Sequence, residues 1–253
     1  MTDRILAGDH IASKEETMNT ARTIRVFLAA SLVTVMIQAA LSPSVLQAEW
    51  YISGQFGVAL PSIAGKGLSN VDINSSGFPS GTTMSDRALA ASGLYGAKLG
   101  YFFPRAKWLG LQTEVFNTTP HIKQQSTTIT VPSTGSATGV LSGDHLRVFT
   151  WAPLNLVLRY PNTRLQPYVA FGPGLFFATV HTTQAGFEGS QSSTKLGFNA
   201  EAGLQYYITR RVTVFGEGKY NLARFKFAEN DTQFGFNATY KMFAVVVGLG
   251  YHF

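Results

Sequence analysis

Eight segments of this chain place large apolar residues at every second position: EWYISGQFGVAL (49–60), LAASGLYGAKLGYFF (89–103), WLGLQTEVFN (108–117), HLRVFTWAPLNLVLRY (145–160), PYVAFGPGLFFATV (167–180), TKLGFNAEAGLQYYI (194–208), VTVFGEGKYN (212–221) and KMFAVVVGLGYHF (241–253). A period of two is the side-chain period of a β-strand. Past Ala48 there is no run of eighteen apolar residues and no sustained 3.6-residue pattern, so the chain builds with strands. The gaps between segments alternate in length. PRAK, PNTRLQ and TRR are short and basic, whereas 61–88, 118–144, 181–193 and 222–237 are long and polar. This pattern predicts an all-β, antiparallel, up-and-down meander of eight strands, with tight turns at one end and long loops at the other. No internal repeat or second domain is visible.

Alternation fits a soluble barrel and a membrane barrel equally, so the character of each face decides. Leu109, Leu111 and Val115 oppose Gln112 and Glu114; Phe198, Ala200, Ala202 and Leu204 oppose Asn199, Glu201 and Gln205; Leu154, Leu156 and Leu158 oppose Asn155 and Arg159. A polar face turned to water would be crowded with charge. Yet only 13% of residues are charged, about half the usual share, and the polar face is rich in glycine, at Gly57, Gly96, Gly100, Gly110, Gly172, Gly174, Gly203, Gly248 and Gly250. Small residues suit a narrow, filled lumen. Aromatics gather beside the short turns, at Tyr101, Phe103, Trp108, Tyr160, Tyr206, Tyr251 and Phe253, where a bilayer interface would place a girdle. The apolar face is therefore read as facing lipid, and only a closed barrel satisfies every backbone group there. Pro153 and Pro173 fall inside strands and predict a bulge or a broken ladder.

The start of the chain addresses the compartment. From Met18, Arg22 and Arg25 precede an apolar stretch from Val26 to about Leu41, then a Pro-containing segment ending at Ala48. This reads as an export signal with cleavage after Ala48. The alternative, an anchoring helix, needs about twenty apolar residues, and Gln38 interrupts a stretch of about sixteen. Residues 1–17 form an upstream extension, with Met18 a candidate initiator. The expected divisions are thus 1–17, the signal peptide 18–48 and the barrel 49–253.

WYISGQFGVAL, GAKLGYFF, QPYVAFGPGLFF and VTVFGEGKYN, followed by a last strand of alternating aromatics ending on Phe253, resemble the small outer-membrane β-barrel family typified by the OmpA transmembrane domain and its OmpX-like and porin-family relatives. The resemblance covers 49–253. It implies a bacterial outer-membrane location with long loops extracellular and short turns and both mature termini periplasmic. It implies outer-membrane lipid and lipopolysaccharide as surroundings, and insertion machinery reading Leu249, Tyr251 and Phe253 as an assembly signal. The resemblance does not extend to the peptidoglycan-binding domain that follows the barrel in full-length relatives, and envelope tethering by that route is not expected.

The lumen charges expected by parity are Lys98, Glu114, Arg147, Arg159, Glu201, Glu217 and Lys219. A tight turn at PRAK sets Lys98 against Glu114, and one at TRR sets Glu201 against Lys219. Glu217 is left over, with Arg147 or Arg159 as candidate partners. An eight-stranded barrel is filled by side chains, which favours a structural or surface-interaction role. A narrow channel for ions or small solutes is the alternative, and a lipid-modifying enzyme the third reading. The third lacks a constellation: His145 and His181 stand apart from any serine–carboxylate pattern, and no segment resembles the lipid A deacylases. Five histidines without ligand spacing suggest no metal site, the absence of cysteine excludes thiolate sites, and no cofactor is implied. The net charge of +6 is scattered, with no basic run to track phosphates, which excludes nucleic acid. The Ser/Thr/Gly-rich stretches 73–83 and 124–139 read as flexible solvated connections, or as contacts for host or envelope ligands.

Overall fold

The structure, a computed structural model, describes residues 49–141, 143–182 and 188–253. The upstream extension and the signal segment 18–48 lie outside the described residues. Strand β1 (Glu49–Leu60) is followed, in the first long connection, by β2 (Gly67–Ile73), β3 (Thr83–Met84) and β4 (Arg87–Ala88). Next come β5 (Ser92–Phe103) and β6 (Ala106–Thr118), and then, in the second connection, β7 (His121–Ile122), β8 (Gln125–Val131) and β9 (Gly135–Leu141). The chain finishes with β10 (Asp144–Arg159), β11 (Leu165–Thr182), β12 (Gly189–Tyr207), β13 (Val212–Phe227) and β14 (Phe236–His252).

Eight of these form the ring β1-β5-β6-β10-β11-β12-β13-β14, each antiparallel to its neighbours. Pairing of β14 with β1, from Tyr51↔His252 to Leu60↔Phe243, closes it. All eight alternating segments of the sequence lie on this ring. Closure leaves no exposed strand edge along the apolar band, as hydrocarbon requires. On β1 the alternation is plain: Tyr51, Ser53 and Gln55 are buried, while Ile52, Phe56 and Val58 are exposed. Beside the short turns the outward aromatics touch one another, with ring centroids 4.9 Å apart for Trp50–Tyr101 and 5.2 Å for Tyr251–Phe253.

Lumen glycines act as sockets for large rings. A methyl carbon at Gly100 would sit 2.2 Å from the Tyr51 ring, and one at Gly248 would sit 2.3 Å from Phe215. The two strand prolines belong to one defect. Register on β10 shifts between Ala152 and Asn155 against β6, and between Trp151 and Leu156 against β11. Pro153 lies in that bulge, and Pro173 stands on the β11 stretch opposite it, still in register with Phe198 of β12. The bulge inverts parity along β10: Val148, Thr150 and Ala152 face inward above it, and Asn155, Val157 and Arg159 below it.

Three expectations need correction at the long-loop end. Strands β13 and β14 run on to Phe227 and from Phe236, so the expected loop 222–237 shrinks to 228–235. The long, polar connections 61–88 and 118–144 carry strands of their own. Strand β2 takes over from β1 along the upper part of β14, β4 pairs with β2, Leu89 bridges Ile122, and β7 pairs with β10, so a second, upper ring continues the barrel wall. The stretch 124–139 is mostly the hairpin β8–β9, tied by Thr128 Oγ1 to Thr138 Oγ1 at 2.9 Å. Finally, the inward face is polar only in the lower half. Above it Phe116, Phe176, Phe225, Phe227, Tyr240 and Met242 pack with Leu68, Val71 and Leu89 of the first connection into an apolar core.

Candidate functional site

The lumen holds a charge cluster contributed by opposite walls of the barrel. Lys98 on β5 and Glu114 on β6 are direct ladder neighbours, as are Glu201 on β12 and Lys219 on β13. Glu201 and Lys219 are also an ion pair, and Lys219 meets Glu217 along its own strand, whereas the remaining ion pairs cross the lumen. Lys98 Nζ lies 3.1 Å from Glu201 and 2.6 Å from Glu217, while Lys219 Nζ binds Glu114 and Glu201 and lies 2.8 Å from Glu217. Glu217 is therefore not left over: two lysines and the Tyr168 hydroxyl, which donates to it, hold its carboxylate.

Neutral groups complete the cluster. Gln112 Nε2 donates to Glu201 at 2.7 Å, Gln55 Nε2 to Glu114 at 2.5 Å, and Tyr51 OH to Gln112 at 2.7 Å. The Lys98 ammonium also lies 5.1 Å from the Phe215 ring centre, and that of Lys219 lies 5.5 Å from Phe116. These partners were legible only as inward parity, because polarity along one strand carries no information about what stands across the lumen. The three carboxylates lie within 4.8 Å of one another, a spacing that suits a metal ion. Lys219 stands among them and supplies the positive charge instead.

Arg159 is buried on the inward face, below the cluster rather than in it. Its guanidinium pairs with Glu49, stacks 3.5 Å from the Phe102 ring centre and donates to Tyr207 OH at 3.1 Å. His252 Nδ1 lies 2.8 Å from the same Glu49 carboxylate, so these residues form a second layer at the short-turn end. Arg147 is a correction. It is exposed on the outward face and donates from Nε to Asn117 Oδ1 at 3.2 Å. Parity counted up from Arg159 assigned it to the lumen, and the bulge between them turns it out. Leu249, Tyr251 and Phe253 line the outward side of β14 and the chain end, all exposed.

At the long-loop end the fold forms a partly open cavity of about 130 Å³. Leu68, Val71, Met84, Ile122, Val180 and Phe236 supply apolar walls, with Arg87 and Asp144 as charged lining. Sequence reading missed this site because its residues come from stretches of mixed polarity spread over both long connections and strands β10, β11, β12 and β14. On the outward rim nearby, His181 Nδ1 lies 2.8 Å from Ser190 Oγ. A serine–histidine contact needs a third group to orient the base, and among the described residues no carboxylate is hydrogen-bonded to that ring.

Residues 26–253 match the family described as "Outer membrane protein beta-barrel domain". None of the curated proteins matches the chain in sequence. Among solved structures, the outer membrane protein OprG from Pseudomonas aeruginosa is similar with a TM-score of 0.56 and 14% identity, over 81% of this chain and 96% of that one. The AlkL structure in lipid bilayers gives 0.47 and 15%, over 84% and 93%, and the outer membrane protease OmpT from Escherichia coli 0.45 and 12%, over 84% and 99%. At these identities the likeness concerns the fold alone.

Proposed function

Because this chain belongs to the outer membrane protein β-barrel domain family, we propose that it is a closed barrel of the bacterial outer membrane whose work is done at its long-loop end, by surface interaction rather than conduction. The observation that carries this reading is the trans-lumen cluster of Lys98, Glu114, Glu201, Glu217 and Lys219. Its charged side chains are at most 3% exposed and join walls that face each other across the lumen. A permeating ion would have to part buried ion pairs, and stranding one member of such a pair costs about 3–5 kcal/mol. Above the cluster the lumen is lined by an apolar core.

In this reading the long loops are extracellular, and the short turns and the chain's described ends are periplasmic. Lipid and lipopolysaccharide surround the apolar band, and the outward row Leu249, Tyr251 and Phe253 is what the insertion machinery engages. The loop-end cavity accepts an apolar group of a host or envelope ligand. No catalytic role is assigned to any residue.

Single-channel recording of the refolded protein in planar bilayers tests the proposal. A silent bilayer is expected. Regular conductance steps abolished by neutralising the cluster would instead support a narrow channel. Lipid composition should be unchanged after reconstitution, and a change would revive the enzyme reading.

A further inference from the structure

Three of the histidines, 24 and 36 residues apart along the chain, become immediate neighbours in the sheet. His145 on β10 is the direct partner of His121 on β7 on one side and of His181 on β11 on the other. All three are exposed, on the outward face at the long-loop rim. The His121 and His145 rings already meet, with centroids 4.4 Å apart and planes at 70°. His145 owes its outward direction to the bulge at Pro153, since without it the parity of Asn155, Val157 and Arg159 would turn this imidazole into the lumen.

We propose that His121, His145 and His181 form a binding site for a divalent transition-metal ion of the zinc class. Directly opposed residues on adjacent strands carry their Cβ atoms about 4.5–5.5 Å apart. An imidazole nitrogen binds zinc at about 2.0–2.1 Å. A central histidine flanked on both sides thus lets three rings converge on one ion by side-chain rotation, leaving a fourth position open. His181 Nδ1 is engaged by Ser190 Oγ at 2.8 Å, which leaves Nε2 as its ligand atom and fixes the ring through an outer-shell partner. A positive charge, Arg147, stands two residues along β10, with its Nε directed to Asn117. Three imidazoles without an oxygen cage select zinc, copper or nickel over calcium or magnesium.

The test uses the untagged full chain refolded in lipid vesicles, titrated with Zn²⁺ against a chromophoric chelator. One equivalent should bind, and X-ray absorption should show three imidazole nitrogens at about 2.0–2.1 Å. Loss of an outer-shell partner typically weakens a site about 10–100-fold, so Ser190→Ala should cost about tenfold and His145→Asn at least about a hundredfold. His121→Asn and His181→Asn should each weaken binding. His121, His145, His181 and Ser190 are exposed, and the heat-modified gel shift checks that each barrel is folded. The proposal is overturned if folded His145→Asn binds Zn²⁺ with the parent's affinity, if the parent binds none, or if Ca²⁺ competes equally.

Discussion

Lys219 on β13 grips Glu114 on β6 across the lumen, although the two strands stand on opposite sides of the eight-stranded ring. A bond of this kind ties walls together that share no backbone ladder. It also explains why the cluster contains three carboxylates and two ammonium groups without an isolated charge: each lysine is shared among several acids.

Removing Lys219 should therefore be costly. Lys219→Met removes the ion-pair partner of Glu114 and leaves its hydrogen bonds from Gln55 and Asn199, and urea unfolding in lipid vesicles should show a loss of about 3–5 kcal/mol. Glu114→Gln in the same chain should recover part of it. Strictly additive effects in that double-mutant cycle would mean that the trans-lumen bond contributes nothing.

The lumen sockets give a second test, independent of charge. Gly100→Ala forces a methyl group into the Tyr51 ring, and overpacking of this sort costs about 1–3 kcal/mol. Tyr51→Leu should relieve the clash, so the double variant should unfold closer to the parent than Gly100→Ala does. A Gly100→Ala barrel as stable as the parent would show that the ring is free to move aside.

Assembly should depend on the outward row of the last strand. Phe253→Asp is expected to reduce the amount of heat-modifiable barrel recovered from outer membranes, with the unfolded chain accumulating instead. Parental levels of folded barrel would remove Phe253 from the recognition element.

One loop contact should respond to acid. Glu229 accepts hydrogen bonds from Ser75 Oγ, from the Ser76 backbone N–H at 2.9 Å and from the Ser76 hydroxyl at 3.1 Å, and these hold its carboxyl below the ordinary carboxylate range. Because the folded pKa is depressed, the stabilisation is complete above the unfolded value and is lost as pH falls through the folded one. Amide exchange at Ser76, corrected for intrinsic rate, should accelerate below about pH 4. Glu229→Gln should show no such step.

The loop-end cavity supplies the last prediction. If it accepts apolar groups, an apolar fluorophore added to the vesicle-bound protein should brighten, and Leu141→Trp, which fills the cavity from its wall, should abolish most of that signal. Unchanged fluorescence in the folded variant would place the dye in the bilayer instead.

Much of the barrel was legible in the chain because a strand declares itself locally. Apolar residues at every second position located all eight ring strands, and the tight turns at PRAK and TRR fixed the register that makes Lys98 a neighbour of Glu114 and Glu201 a neighbour of Lys219. A hairpin turn is a short-range constraint, so its consequences can be counted along the sequence. The prolines at 153 and 173 likewise announced a defect in their ladder.

What the chain could not state is which groups meet after closure. Beyond the Glu201–Lys219 ladder pair, Lys98 reaches Glu201 and Glu217, and Lys219 reaches Glu114, across the ring, so these ion pairs depend on barrel diameter and strand tilt, which no single segment encodes. The bulge at Pro153 shows the same limit on a smaller scale. One extra residue inverts the facing of everything above it, turning Arg147 out of the lumen and bringing His145 into line with His121 and His181. The sequence determined the strands, their order and their local register, because those follow from periodicity and turn length. Closure of the sheet decided the charge pairing, the apolar roof and the histidine row, because each is made by residues that come together only when distant strands share one ring.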